Sequence, residues 1–269
     1  LRDAGKAIAG LLANEKEAVG LWMYWQDWED NRREGQPYFR AEQIRDCLRE
    51  ILKLAGLLSM ARERLHLAKG EVLARQNFSV APKDWKAYGN PEMESVNGRL
   101  RVMGKGGTVW FDRELEDCVI SFDYEPFATD GKGAGALFAF PAVPLPGKTL
   151  EASAGRMESY NRGIDTYHVS LFRGGSGMTN LRRTGPGLKM LASVQPDPCA
   201  ELKKNYRVTL LKYGPSFQVF VDGRLIHAYV DAGCYGPVPR RGRFGVRHFS
   251  GGMLECFYAD FEVAALAPR

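Results

Sequence analysis

Between residues 160 and 183 the chain gathers side chains suited to handling an acidic sugar. They are Tyr160-Asn161-Arg162, the run Tyr167-His168 through Arg173, and Asn180-Leu181-Arg182-Arg183. Removing the C5 proton of a uronate needs a cation or amide to neutralise the sugar carboxylate. It also needs an imidazole or phenolate to accept the proton. On that chemistry Tyr167, His168 and Arg173 are the candidate catalytic residues, and Tyr160, Arg162, Asn180, Arg182, Arg247 and His248 are candidate substrate contacts. Strand alternation over 166–173 places Tyr167, Val169, Leu171 and Arg173 on one face and His168, Ser170 and Phe172 on the other. Arg247 and His248 alternate as well, so one of the two is expected to share a surface with His168. The competing reading is plain: strand histidines are often satisfied polar groups, and arginines solvate surfaces.

Other signals are weaker. Asp123 and Glu125 lie two apart in Ser121-Phe-Asp-Tyr-Glu125, hence on one strand face, roughly 6.5–7 Å apart. A retaining glycosidase needs carboxyls about 5–5.5 Å apart, which such neighbours reach by leaning together. Gly104-Lys-Gly-Gly107 and Gly131-Lys-Gly133 open no helix and read as hairpin loops, not phosphate cradles. Asp130 and Asp260 are acids that a structural Ca²⁺ would use, although nothing is spaced like a dedicated site. Trp85, Tyr88 and Trp110 are read as core in preference to sugar-stacking platforms. Cys47, Cys118, Cys199, Cys234 and Cys256 show no zinc spacing. Cys199 and Cys234 sit in Pro/Gly-rich loops where they are placed to pair, and five reduced thiols is the equal alternative.

The elements that must position these groups come in two periods. Residues 1–70 carry apolar positions at helical spacing (Ile8, Leu11, Leu12, Val19, Trp22; then Ile44, Leu48, Ile51, Leu52) around a polar turn ending at Pro37. That pattern predicts an antiparallel helical hairpin that docks on the rest of the chain or on a partner. Trp22, Trp25 and Trp28 follow the same period and are read as its docking core. From Arg75 to 265 the period becomes two. Tyr206–Tyr213, Phe217–Val221 and Leu225–Val230 are separated by Gly214-Pro215 and Asp222-Gly223. Asp-Gly between alternating segments is a strong hairpin signal, because both turn residues need positive φ. About twelve short strands of this kind, among them 77–80, 99–103, 118–126 and 134–140, predict a two-sheet antiparallel β-sandwich. The Pro/Gly-rich stretch 141–163 is expected to be a long loop at an end or edge, where binding residues gather.

The chain has 269 residues, a net charge of +5 and ordinary hydrophobic content of 45%. The charge is spread along the sequence, which excludes a dedicated nucleic-acid surface. No window approaches the ~18 continuous apolar residues of a membrane span. Beginning at Leu1 without a basic-then-apolar leader, the sequence is expected to be a fragment or a mature form.

Five segments together carry a resemblance. They are Tyr167-His-Val-Ser-Leu-Phe-Arg173, Thr179-Asn-Leu-Arg-Arg183, Tyr206-Arg-Val-Thr-Leu-Leu-Lys212, Asp231-Ala-Gly-Cys-Tyr-Gly-Pro237 and Gly242-Arg-Phe-Gly-Val-Arg247. Over roughly residues 76–263 they resemble the YesU-like bacterial family of the concanavalin A-like lectin/glucanase superfamily. The resemblance implies a jelly roll and a place in plant- or algal-polysaccharide breakdown, near rhamnogalacturonan use, and it slightly favours an extracytoplasmic setting. It names no catalytic residues. Hydrolases of that superfamily set an acid and a nucleophile on one strand with an Asp between them. Here Ser121 replaces the first carboxylate of that pattern, so a retaining glucanase is not expected. The function anticipated is binding or cleavage of a uronate-containing poly- or oligosaccharide, as a lyase, a hydrolase or a non-catalytic carbohydrate-binding module.

Overall fold

The computed structural model describes residues 67–268 apart from 90, 132, 174–176, 186, 187, 232 and 234. The helical hairpin expected over 1–70 therefore lies outside the described residues, tryptophans included, except that 67–70 are strand and not helix. The elements begin with β1 (Leu67–Gln76), β2 (Trp85–Tyr88), β3 (Glu92–Val96), β4 (Arg99–Gly104), β5 (Thr108–Phe111), β6 (Cys118–Thr129) and β7 (Ala136–Pro144). A short helix, α1 (Met157–Gly163), leads into β8 (Ile164–Asp165), β9 (Tyr167–Leu171), β10 (Thr179–Arg183) and β11 (Lys189–Val194). The chain continues through β12 (Tyr206–Tyr213), β13 (Ser216–Val221), β14 (Arg224–Val230), β15 (Arg243–His248) and β16 (Leu254–Pro268).

These strands make two eight-stranded sheets. One runs β14-β13-β12-β6-β16-β4-β3 with β1 on β16, and the other runs β11-β10-β9-β7-β15-β5-β2 with β8 on β7. The two-sheet sandwich read from the period-two pattern is thus the architecture. Its compact unit comprises residues 69–229 and 239–267. A second unit takes in 230–238, where Asp231 accepts the Gly233 amide at 2.8 Å.

The turn chemistry works as the dipeptides require. Asp222 and Gly223 have φ of 50° and 76°, both positive, as a two-residue hairpin with the twist of its strands demands. Facing side chains of the two sheets fill the interior with aromatics. Trp85 meets Phe244 and Phe261 edge-on at 6.1 and 5.0 Å between ring centroids, and Phe122 and Tyr124 pack on Phe138 at 5.0 and 5.1 Å. Each such ring contributes on the order of 1.5–3 kcal/mol by leaving water.

The sheets differ in how their outer faces end. In the first, β6 and β12 alternate buried and half-buried residues along their length. In the second, β5 and β9 are buried throughout and β7 is buried from Ala136 to Ala142. Strands buried on both sides need a cover, and residues 145–163 supply it. Leu150, Tyr160 and Ile164 pack there against Trp110, Leu137, Ala139 and Ala142. The stretch 141–163 is consequently not one loop: Pro141 belongs to β7 and 157–163 are helical. Pro141 is tolerated inside a central strand because the β7–β15 register shifts between Arg243 and Gly245, beside it, where a ladder amide is dispensable.

Candidate functional site

Register decides which polar side chains meet on the outer face of the second sheet. One row across it reads Arg182, His168, Ala139, Gly245 and Trp110; the next reads Asn180, Ser170, Leu137, Arg247 and Thr108. Small residues at 139 and 245 let the Trp110 indole lie flat, so a Cβ at Gly245 would fall 2.0 Å from that ring. The roof closes over Trp110, Thr108 and Arg247, which are 0–1% exposed. Beside the roof the face stays open as a cleft of about 290 Å³. It is lined by Leu137, His168, Ser170, Arg173 and Arg182, by Met157 of α1, and by the 249–251 and Gly133 turns.

Arg173 reaches this cleft against the alternation that places it with Tyr167. Phe172 has φ of 50°, a left-handed residue that turns its ring into the core and puts the next side chain on the His168 side. Buried Asp197 holds the corner, accepting the Arg173 amide at 3.0 Å and the Cys199 amide at 3.0 Å. Burial raises the Asp197 pKa, and those amide bonds oppose the rise. Fully buried Asn180 orients the Arg173 guanidinium: with its amide turned to satisfy both ends, it accepts from Arg173 and donates to Ser193 Oγ at 2.9 Å. Asn180 is thus a support behind the cleft wall.

His168 sits at the junction of cleft and roof. Its Nδ1 lies 3.4 Å from the Tyr160 hydroxyl, and the rings are 5.6 Å apart. Arg247 stacks its guanidinium 5.0 Å from the Tyr160 centroid and donates to the Gly106 and Gly155 carbonyls at 3.3 and 2.6 Å, tying the roof to the sheet. Burial first, then the charges of Arg182, Arg247 and Arg173, push the His168 pKa well below its usual value. The imidazole is therefore neutral at pH 7. Burial raises the Tyr160 phenol, an effect Arg247 partly offsets, and lowers Arg247 to about 10.

The remaining candidates fall elsewhere. Tyr167 is on the core side of β9, with its ring 5.3 Å from that of Phe217, so it cannot serve as a base in the cleft. His248 also faces the interior, where its Nε2 lies 3.2 Å from the Tyr258 hydroxyl and burial lowers its pKa to about 4. Of the Arg247/His248 pair, it is Arg247 that shares the His168 face, beneath the roof and not in the open cleft. Arg162 is exposed on α1 with Glu158 at 3.4 Å. Met157, Phe249 and Ser250 were missing from the sequence-level candidates. The signal for them was the unbroken apolar run of β7, Ala136-Leu-Phe-Ala-Phe140, which requires a covering element and hence a cleft edge.

Among the described residues no lining side chain of the cleft is a carboxylate. Asp123 and Glu125 lie on the other sheet, engaged by Arg207 at 3.0 Å and by Arg99. The two-carboxylate geometry of glycoside hydrolysis is therefore not assembled from them. Asp130 accepts the Met253 amide at 2.9 Å, and among the described residues no three His, Cys, Asp or Glu side chains gather to hold a metal. Cys199 is a buried free thiol, whereas Cys234 lies outside the described residues. Among the described residues no helix is long and apolar enough to cross a membrane.

A family model, "Domain of unknown function (DUF1961)", matches residues 72–263. No curated protein matches the chain. Among solved structures, a protein with a galectin-like fold from Bacillus subtilis is similar at 22% identity and a TM-score of 0.65, over 76% of this chain and 100% of that one. An endo-acting O-glycanase structure from the human gut microbiota aligns at 12% identity and a TM-score of 0.52, covering 72% and 99%. The Bacillus licheniformis beta-glucanase does so at 12% identity and a TM-score of 0.50, covering 74% and 99%. At these identities the likeness is one of fold.

Proposed function

The chain belongs to the DUF1961 family, and from that premise we propose that its cleft engages a uronate-containing oligo- or polysaccharide. The observation that carries the reading is what the described lining residues bring to the cleft: two guanidinium groups, a neutral imidazole and a hydroxyl, with no carboxylate among those residues. Arg173 and Arg182 suit a sugar carboxylate, since a planar guanidinium pairs with it through charge-assisted hydrogen bonds. Leu137, Met157 and Phe249 offer apolar surface to a pyranose ring. Glucanase and O-glycanase activity in proteins of this fold makes a saccharide the natural ligand class.

Where catalysis occurs, the lining suits β-elimination better than hydrolysis. His168 accepts the C5 proton while the arginines stabilise the charge that develops on the carboxylate. The electrons form the C4–C5 double bond, the C4–O bond breaks, and the leaving oxygen takes the proton back from the His168 imidazolium. A second reading, a non-catalytic binding module, draws on one observation. The Tyr160 phenol is fully buried behind His168, so among the described residues the lining offers no phenol or carboxyl to protonate the leaving oxygen.

Incubation with pectate and alginate oligomers, followed by ultraviolet absorbance of the new double bond, separates the readings. A lyase gains absorbance, and His168→Ala lowers the rate about 10²–10⁴-fold. Retention on the glycan without absorbance selects the binding module. Failure to bind any acidic glycan overturns both.

A further inference from the structure

We infer that the cleft receives the end of an acidic saccharide chain, about two sugar rings deep, and not an interior stretch of polymer. The inference rests on the proposed saccharide reading and sharpens it. A polymer lying across the second sheet would need the outer faces of β15 and β5, and these are filled. Trp110 lies over Gly245, Tyr160 descends from α1 between His168 and Arg247, and Arg247 ties Gly106 and Gly155 across the top. What remains open spans β7, β9 and β10, roughly 10–15 Å at about 4.8 Å per strand. The volume of about 290 Å³ sits at the small end of ligand pockets.

The closed end is rigid. The roof is anchored by a buried guanidinium with two carbonyl acceptors and by an apolar cluster around Leu150, Tyr160 and Ile164. It cannot be lifted to admit a through-running chain without exposing Trp110 and stranding Arg247. Arg173 and Arg182 face the same short cleft as the neutral His168, so the carboxylate of one terminal unit, or of its neighbour, reaches both guanidinium groups.

The test is calorimetric titration of the full chain with oligogalacturonates and oligoalginates of one to six units, and with each polymer before and after partial depolymerisation. Affinity is expected to rise from monomer to dimer and then to stay within about twofold up to the hexamer. Binding sites per gram of polymer should increase in proportion to the number of chain ends. Affinity that climbs with every added unit, or stoichiometry that follows polymer mass and not ends, overturns end recognition while leaving the acidic-saccharide reading intact. Absence of binding in both series overturns the two together.

Discussion

The two outer faces of the sandwich spend their arginines in opposite ways. On the first sheet Arg101 reaches Glu94 and Glu255 at 2.6 and 2.5 Å, Arg207 reaches Asp123 at 3.0 Å, and Arg99 and Arg75 pair with Glu125 and Glu262. Each of these cations has an acid within reach, on the next strand or one strand beyond, and partly in water. On the second sheet Arg173, Arg182 and Arg247 surround a neutral histidine, and the first two line a cleft whose described wall residues include no acid. Ion pairs spread along a half-wetted sheet make a surface; guanidinium groups gathered at the lip of a cavity suit an anion. What separates them is the roof over residues 145–163, which removes water from one half of the second sheet and confines what is left.

The largest expected effect tests that roof. Tyr160→Ala should cost about 3–5 kcal/mol, as truncation of a fully buried aromatic does. The denaturant midpoint would fall accordingly, and a loss below about 1 kcal/mol would mean that the roof is not anchored through this ring. Next, Arg182→Ala should weaken uronate binding by about 10–150-fold, the equivalent of one charge-assisted contact of roughly 1.5–3 kcal/mol. Titration calorimetry against the neutral oligosaccharide provides the control, since only the acidic ligand should respond.

A smaller effect comes from pH. Native His168 titrates well below its unfolded value near 6.5. Between the two, the unfolded chain holds a proton that the native one lacks, so stability falls as pH falls through this window. The loss is about 1.4 kcal/mol per pH unit from this group. His227 and His248, lowered by burial to about 4, add slopes of the same sign. His168→Asn should remove one proton from the measured dependence of stability on pH between 6.5 and 5, and an unchanged slope would show that His168 is charged in the native state. The smallest effect belongs to the other face. Arg207→Ala should cost no more than about 1 kcal/mol, because its pair with Asp123 is partly in water, and it should leave glycan affinity unaltered. Weakened binding in that variant would shift the site to the first sheet and end the contrast between the faces.

How far the sequence reaches is visible residue by residue. His168 and Ser170 are placed on one face by simple alternation, and the structure puts them together in the cleft. Alternation fails at Arg173, because a left-handed Phe172 inserts a corner that no composition signal announces. It also passes over β10, whose Thr-Asn-Leu-Arg-Arg reads as surface. There Arg183 is in fact buried at the end of the core, with Asp165 at 2.7 Å and its guanidinium 5.9 Å from the Tyr167 ring. Tyr167 is a candidate for its phenol, but period two sends it and the adjacent His168 to opposite sides of the sheet, and its side is the core.

Local chemistry alone determined the sandwich: the Asp222-Gly223 turn needs two positive φ angles, and the β-branched and aromatic segments around it bury one face each. Which polar groups converge was decided by pairing between strands far apart in the chain, by one kinked residue, and by a proline-rich segment folding back over a sheet. Those depend on long-range register and packing, to which a period of two in sequence is blind, because it says which side a residue takes but not what waits there.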